Sequence, residues 1–269
     1  MDTSAQPFSE RTMPAARQID VYLLPALVEP AELAGKVAVV IDVLRATTTI
    51  VHALASGAAE VVPCLEVEQA AALTRDEQAR TLVLRGGERG GKQIPGFDLG
   101  NSPAEYSRDI VAGKTIAFTT TNGTRAMQRC RLARRVLIGA FVNFSAVCRE
   151  LATEPEIALV CAGTDGHVTR EDALLAGAIV VDVARDSIAG DPPRSGGLCR
   201  LNDQAQIAAD AWQTAVRGLT DRPLGVLLTG SRGGRNLIDI GQENDIEIAA
   251  QIDRFDIVPE LDLATWRIR

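Results

Sequence analysis

The chain has 269 residues, 46% hydrophobic and 23% charged, a globular composition that rules out a disordered chain and is long enough to bury its own core. Its 28 Lys and Arg stand against 35 Asp and Glu, a net charge of −7, and aromatics are only 4%, which excludes nucleic acid as an expected partner. No uncharged apolar stretch reaches the roughly 20 residues that would cross a bilayer, so no membrane partner is expected either.

Residues 1–16 read as a polar N-terminal arm without the apolar stretch of a signal peptide. The remainder, 17–269, reads as one α/β catalytic domain, with two tightly fused lobes as the alternative. Strands are predicted at 20–24, 37–43, 60–65, 81–85, 115–120, 135–139 and 157–162. Helices are predicted between them at 46–57, 66–79, 102–108, 123–131, 142–153, 169–186 and 203–217. Near-continuous apolar runs such as Val37–Val43 imply strands covered on both faces. The alternation therefore predicts a layered α/β/α fold around a largely parallel or mixed sheet. The segment 189–197, AGDPPRSGG, predicts a surface loop or a hinge, and the chain closes with helical pattern over 203–252 and short strands at 256–261 and 265–268. Five scattered cysteines without a C-x-x-C point to a reducing cytoplasm and to no thiolate metal site.

Four apolar strands each end in a burst of Gly, Thr, Asp, Glu, Arg or Asn. In a parallel sheet such carboxyl ends share one edge, where open α/β folds bind ligands. Asp42 follows Val37–Ile41 directly, and Arg45 and Thr47 open the next helix, whose free N–H groups favour anions. The run Gly86–Gln93 approaches a Walker A loop, but Gln93 stands where Ser or Thr is required, so a nucleotide triphosphatase is rejected. Its glycines still let backbone N–H groups approach an anion. Glu88 is a candidate metal ligand there, Arg89 and Lys92 are candidate anion clamps, and Lys92 is one of only three lysines. Ser102, Pro103 and Glu105 open a helix by capping rules, which leaves Asp98 and Asn101 less explained. The loop Thr119, Thr120, Thr121, Asn122, Gly123, Thr124 clusters hydrogen-bond donors suited to phosphate or sulfonate, with Arg125 beside it. Glu171 and Asp172 begin an apolar helix, where the macrodipole favours acids and keeps them ionised as a hard cation requires. His167 is either a nearby proton donor or a loop residue without a role. No D-x-D pair at Asp42, no Cys with an Arg six residues on and no H-E-x-x-H is present, so the familiar phosphatase and zinc-protease arrangements are excluded.

The segments IDVLRATTTI (41–50), GERGGKQIPGFDLGNSP (87–103), TTTNGTRA (119–126), CAGTDGHVTREDALLAGAI (161–179) and SRGGRNL (231–237) resemble the 2-phosphosulfolactate phosphatase (ComB) family. The resemblance implies that family's own α/β fold and a cytoplasmic, Mg2+-dependent hydrolysis of 2-phospho-3-sulfolactate to 3-sulfolactate and phosphate, a step toward coenzyme M. It implies Mg2+ held by Asp42, Glu88 and Asp172, with Glu171 as a further ligand, and anion clamping by Arg45, Arg89 and Lys92. Thr47, Asn101, Ser102, Thr119, Thr120, Asn122, Gly123, Thr124, Arg125, Ser231, Arg235 and Asn236 are then candidates for substrate binding. The expected partner is a small anionic phosphoester, and assembly as a homodimer is left open. Two other readings keep the same site: a phosphatase or phosphotransferase for another small anionic metabolite, and a non-catalytic anion-binding protein.

Overall fold

The computed structural model describes residues 17–74, 82–185, 199–217 and 223–269; the predicted N-terminal arm and the segment 189–197 lie outside them. In chain order the described strands are β1 (Arg17–Tyr22), β2 (Val37–Ile41), β3 (Glu60–Pro63), β4 (Val83–Arg89), β5 (Lys92–Gln93) and β6 (Thr115–Thr119). They continue with β7 (Arg135–Gly139), β8 (Glu156–Cys161), β9 (Cys199–Leu201), β10 (Leu261–Asp262) and β11 (Arg267–Ile268). The described helices are α1 (Ala46–Ala55), α2 (Val67–Ala72), α3 (Arg108–Val111), α4 (Gly123–Arg129) and α5 (Phe144–Leu151). After them come α6 (Arg170–Val183), α7 (Asp203–Arg217), α8 (Leu224–Thr229), α9 (Arg232–Asp239) and α10 (Asn244–Ala249).

Two sheets form, in the layered α/β arrangement that the alternation predicts. The first has the order β7-β2-β8-β1-β9 and is parallel throughout. The second, β10-β11-β3-β6-β4-β5, is parallel at its centre and antiparallel at both edges. An antiparallel bridge from Leu137 to Glu260 ties the edge of the first sheet to the segment entering the second.

The packing explains why β2 carries no polar position. Its odd residues Val37, Val39 and Ile41 face one core with side chains of α5, α6 and α7. Its even residues Ala38 and Val40 face a second core, where α1 and α4 fill the space before Ile116 and Phe118 of the other sheet. All five β2 residues are buried, and each full Val or Ile burial contributes roughly 1.5–3 kcal/mol. A smaller core around Cys64, Ala70, Phe97 and Ala117 covers the far face of the second sheet under α2.

Three expectations change. The strand predicted to end at 85 runs to Arg89 and turns into a hairpin, with Glu88 opposite Gln93 and Arg89 opposite Lys92. Gly87 makes this possible: it sits at φ +136°, and a Cβ there would collide with the carbonyl oxygen of its register partner Thr119. Gly86 and Gly87 thus serve strand pairing, while Gly90 and Gly91, both at positive φ, make the hairpin turn. The helix predicted at 102–108 is a 3-10 turn, Pro103–Glu105, followed by the single turn α3, because the Ser102 side chain is drawn to a distant partner and makes no cap. The four chemistry-bearing strand ends also do not share one sheet edge. β2 and β8 are neighbours in the first sheet, with Ile41 beside Cys161. β4 and β6 are neighbours in the second, with Gly87 beside Thr119. The two pairs of carboxyl ends converge from different sheets.

Candidate active site

Asp42 is the first residue past β2. Its Oδ1 accepts the Ala46 N–H at 3.2 Å, and its own N–H donates to Thr47 Oγ1 at 3.0 Å. The Thr47 hydroxyl returns a bond to the Asp42 carbonyl at 2.8 Å, so Thr47 fixes the turn and is fully buried behind it. Gly123, opening α4, completes the niche: a Cβ there would stand 2.9 Å from Asp42 Oδ2. Burial, with the charges of Glu88 and Glu171 adding to it, pushes the Asp42 carboxyl up to about 7. Glu88, at the end of β4, is aimed by two backbone donors. Its Oε1 accepts the Thr121 N–H at 2.7 Å and its Oε2 the Gly91 N–H at 2.8 Å.

Between these carboxylates lies a cavity of about 290 Å³, at the small end of the range for small-molecule sites. Asp42, Arg45, Glu88, Asn101, Thr120 and Asn122 line it, as do Thr121, Asp165, Gly233, Asn236 and Asp239. Asn101 Oδ1, Thr120 Oγ1 and Thr121 Oγ1 on its walls, and Glu171 Oε2, are buried without a hydrogen-bond partner. Orphaned polar atoms of this kind are rare in native interiors and call for a ligand, ion or water.

Arg45 reaches the cavity but is already held. Its Nη1 donates to Asp245 Oδ2 at 2.6 Å and also to Gln242, and its Nη2 donates to the Gly91 carbonyl at 2.7 Å. The other oxygen of Asp245 accepts the Ser102 hydroxyl at 2.6 Å, which is the partner that takes Ser102 out of its expected capping role. Asp172 stands outside the cavity walls with both oxygens engaged. Oδ1 accepts the Val43 N–H at 2.9 Å, and Oδ2 accepts the Gly163 N–H at 3.0 Å and the Thr169 hydroxyl at 2.9 Å. It therefore stitches the loops leaving β2 and β8 together. Burial first, then Glu171 and Asp42, raise its carboxyl well above the usual range. Glu171 is raised by burial as well, and its Oε1 accepts the Gly233 N–H at 3.1 Å.

Several sequence candidates are placed elsewhere. Arg89 turns away from the cavity toward the Leu65 carbonyl at 3.2 Å and the Thr119 hydroxyl at 3.0 Å, so Thr119 serves Arg89. Lys92 and Arg125 are exposed and off the walls. Thr124 donates to the Thr120 carbonyl at 2.7 Å. Ser231 caps α9, accepting the Gly234 N–H at 3.0 Å and donating to the Leu228 carbonyl at 2.6 Å. Arg235 is exposed and donates to the Gly230 carbonyl, whereas Asn236 does line the cavity. Asp98 accepts the Arg85 N–H at 2.8 Å, and His167 is exposed in its turn. Sequence reasoning missed Asp245, Gln242, Asp239, Asp165 and Arg232. The run Asp239–Asp245, with three acids in seven residues, was the available signal for the first three.

Fold and site together define a layered α/β enzyme with a small, acid-lined polar cleft. The family model for 2-phosphosulpholactate phosphatase matches residues 22–263. The chain belongs to that family, one of phosphoric monoester hydrolases. It is 45% identical over 234 residues to a protein of Symbiobacterium thermophilum named probable 2-phosphosulfolactate phosphatase, covering 86% of this chain and 94% of that one. A protein of the same name from Thermotoga maritima is 40% identical over 243 residues, 90% of this chain and 95% of the relative. Another from Deinococcus radiodurans is 43% identical over 229 residues, 84% and 87% of the two chains. Among the described residues no helix is long and apolar enough to cross a membrane.

Proposed function

We propose that the chain hydrolyses 2-phospho-3-sulfolactate, or a closely related small phosphorylated acid, to 3-sulfolactate and phosphate with Mg2+ as cofactor. One observation carries the reading: the cavity is lined by the carboxylates of Asp42, Glu88, Asp165 and Asp239 against one guanidinium, Arg45, which Asp245 already neutralises. An ester with several negative charges cannot enter such a cleft without added positive charge.

The donor set fits a hard cation. Carboxylate, hydroxyl and amide oxygens surround the space, with Asn101 Oδ1, Thr120 Oγ1 and Thr121 Oγ1 unpartnered. Among the described residues no three His, Cys, Asp or Glu side chains close on one point. Mg2+ commonly takes one or two carboxylates and completes its shell with water and substrate oxygens. Asp42 and Glu88 would hold it, and when bound it would neutralise phosphoryl oxygens and orient the attacking water. Asp172, with both oxygens engaged, then supports the site from behind rather than ligating, while Glu171 keeps an unpartnered Oε2.

The chain's own groups do the rest. Arg45, immobilised by Asp245 and the Gly91 carbonyl, presents a fixed positive edge to the phosphoryl group at no cost in reorganisation. The free hydroxyls of Thr120 and Thr121 donate to its oxygens, and Asn101 Oδ1 accepts from the attacking water. The test is phosphate release from synthetic phosphosulfolactate by the purified chain, with Mg2+ and with EDTA. Release that needs Mg2+ is expected; no release, or release indifferent to EDTA, refutes the proposal.

A further inference from the structure

Four observations single out Arg232, at the first position of α9. Its Nε is buried without an acceptor. Among the described residues its one ion pair is to Asp165 Oδ2, at 3.6 Å, with side chains 39% and 60% exposed, a loose contact of the kind that contributes little. Asp165 itself lines the cavity, and so does Gly233, the residue after Arg232. Asn236 lies four residues on, which puts it and Arg232 on the same helix face, and Asn236 lines the cavity too. The guanidinium therefore sits at the rim, beside the cleft, with donors to spare. Its competitors are committed: Arg45 is paired with Asp245 and held by Gln242 and Gly91 facing the phosphoryl position, and Arg89 faces Thr119 and Leu65.

We infer that Arg232 determines specificity by gripping a second anionic group of the substrate, the sulfonate or carboxylate of the phosphorylated acid, while the phosphoryl group lies deeper between Asp42 and Glu88. This rests on the phosphatase reading above and adds to it the requirement for a second strong anion. In the free protein Asp165 stands in for that anion. An arriving oxyanion offers the planar guanidinium a bidentate, charge-assisted partner that the 3.6 Å contact does not supply.

The test is calorimetric binding of 3-sulfolactate, lactate and inorganic phosphate, in Mg2+, to wild type, Arg232→Ala and Arg232→Lys. Arg232 is partly exposed, and thermal melts verify that each variant is folded. Arg232→Ala is expected to weaken 3-sulfolactate by about 10- to 100-fold, the loss expected for hydrogen bonds to a charged group. Phosphate stays within about threefold, and Arg232→Lys falls between, because a point charge replaces the fork. A parallel loss for lactate assigns the grip to the carboxylate; its absence assigns it to the sulfonate. Unchanged 3-sulfolactate binding, equal weakening of sulfolactate and phosphate, or no sulfolactate binding by the wild type would each overturn the inference. Phosphate release by the wild type is measured separately, so a failure there counts against the proposed reaction and not against this role of Arg232.

Discussion

Replacing Asp245 by Ala is the sharpest perturbation of the frame around the site. Arg45 Nη1 and Asp245 Oδ2 are 2.6 Å apart, with side chains only 2% and 3% exposed. Removing one member of such a pair leaves a buried, uncompensated charge, which costs about 3–5 kcal/mol. The Ser102 hydroxyl also loses its acceptor, adding roughly 1 kcal/mol, while Gln242 and the Gly91 carbonyl continue to hold the guanidinium and moderate the loss. A net destabilisation of about 3–5 kcal/mol is expected for Asp245→Ala, a large share of the roughly 5–15 kcal/mol that a typical domain possesses. Asp245→Asn keeps the shape but removes the charge and leaves one acceptor oxygen for Ser102 and Arg45 together, so a loss of about 3–5 kcal/mol is expected there too. The double variant Arg45→Met, Asp245→Leu removes both charges and recovers part of the loss. Urea unfolding at neutral pH, with the slopes compared to exclude a change in cooperativity, measures all three. A loss below about 1 kcal/mol for Asp245→Ala would refute the reasoning, because it would mean that Arg45 is solvated or satisfied without its carboxylate.

Three further outcomes are expected. Asp42 has a folded pKa of about 7 against an ordinary 3.8; the native state keeps this proton where the unfolded chain has lost it. Metal-free protein should therefore lose stability as pH rises from about 4 to 7, by about 4 kcal/mol from this group, and Glu171 and Asp172 act in the same direction. Melting in EDTA at pH 5.5 and pH 8 samples the upper half of this loss, about 2 kcal/mol, with Mg2+ restoring the difference at pH 8; equal melting at both pH values without metal contradicts the buried-acid account. Asp172→Asn leaves donors from Val43, Gly163 and Thr169 competing for one acceptor oxygen, so a loss of about 2–4 kcal/mol is expected in urea unfolding, and an unchanged midpoint speaks against its stitching role. Gly123→Ala places a methyl against Asp42 Oδ2 and should cut phosphate release at least tenfold by displacing that carboxylate, while a wild-type rate would show that the niche is looser than described.

Much of the fold was legible because buried strands announce themselves. Val37–Ile41 is apolar at every position, and the abrupt change to Asp42 marks both the strand's end and a polar group held at its tip. Asp42, Glu88, Asn101, Thr120, Asn122 and Asn236 were all readable as candidates, and they do meet around one cavity. Three things were hidden. Residue type does not show whether a glycine-rich run is a loop or a strand pressed against its neighbour, so Gly86–Arg89 was misread and Arg89 was expected to face the ligand. Strand pattern shows parallel character but not partners, which is why one sheet edge was expected where two sheets converge. Finally, Arg45 and Asp245 are 200 residues apart in the chain, and no local periodicity encodes a pairing at that separation. The same long-range neutralisation of Arg45 is what leaves the cleft acidic.

The central claim, that Asp42 and Glu88 together hold a divalent cation for an anionic ester, is tested most directly by titrating Mg2+ into the metal-free wild type, Asp42→Asn, Glu88→Gln and Asp172→Asn. A single saturable site is predicted in the wild type, weakened at least tenfold in Asp42→Asn and Glu88→Gln and kept within about threefold in Asp172→Asn. Mg2+ binding to Asp42→Asn and Glu88→Gln as tight as to the wild type would contradict the account.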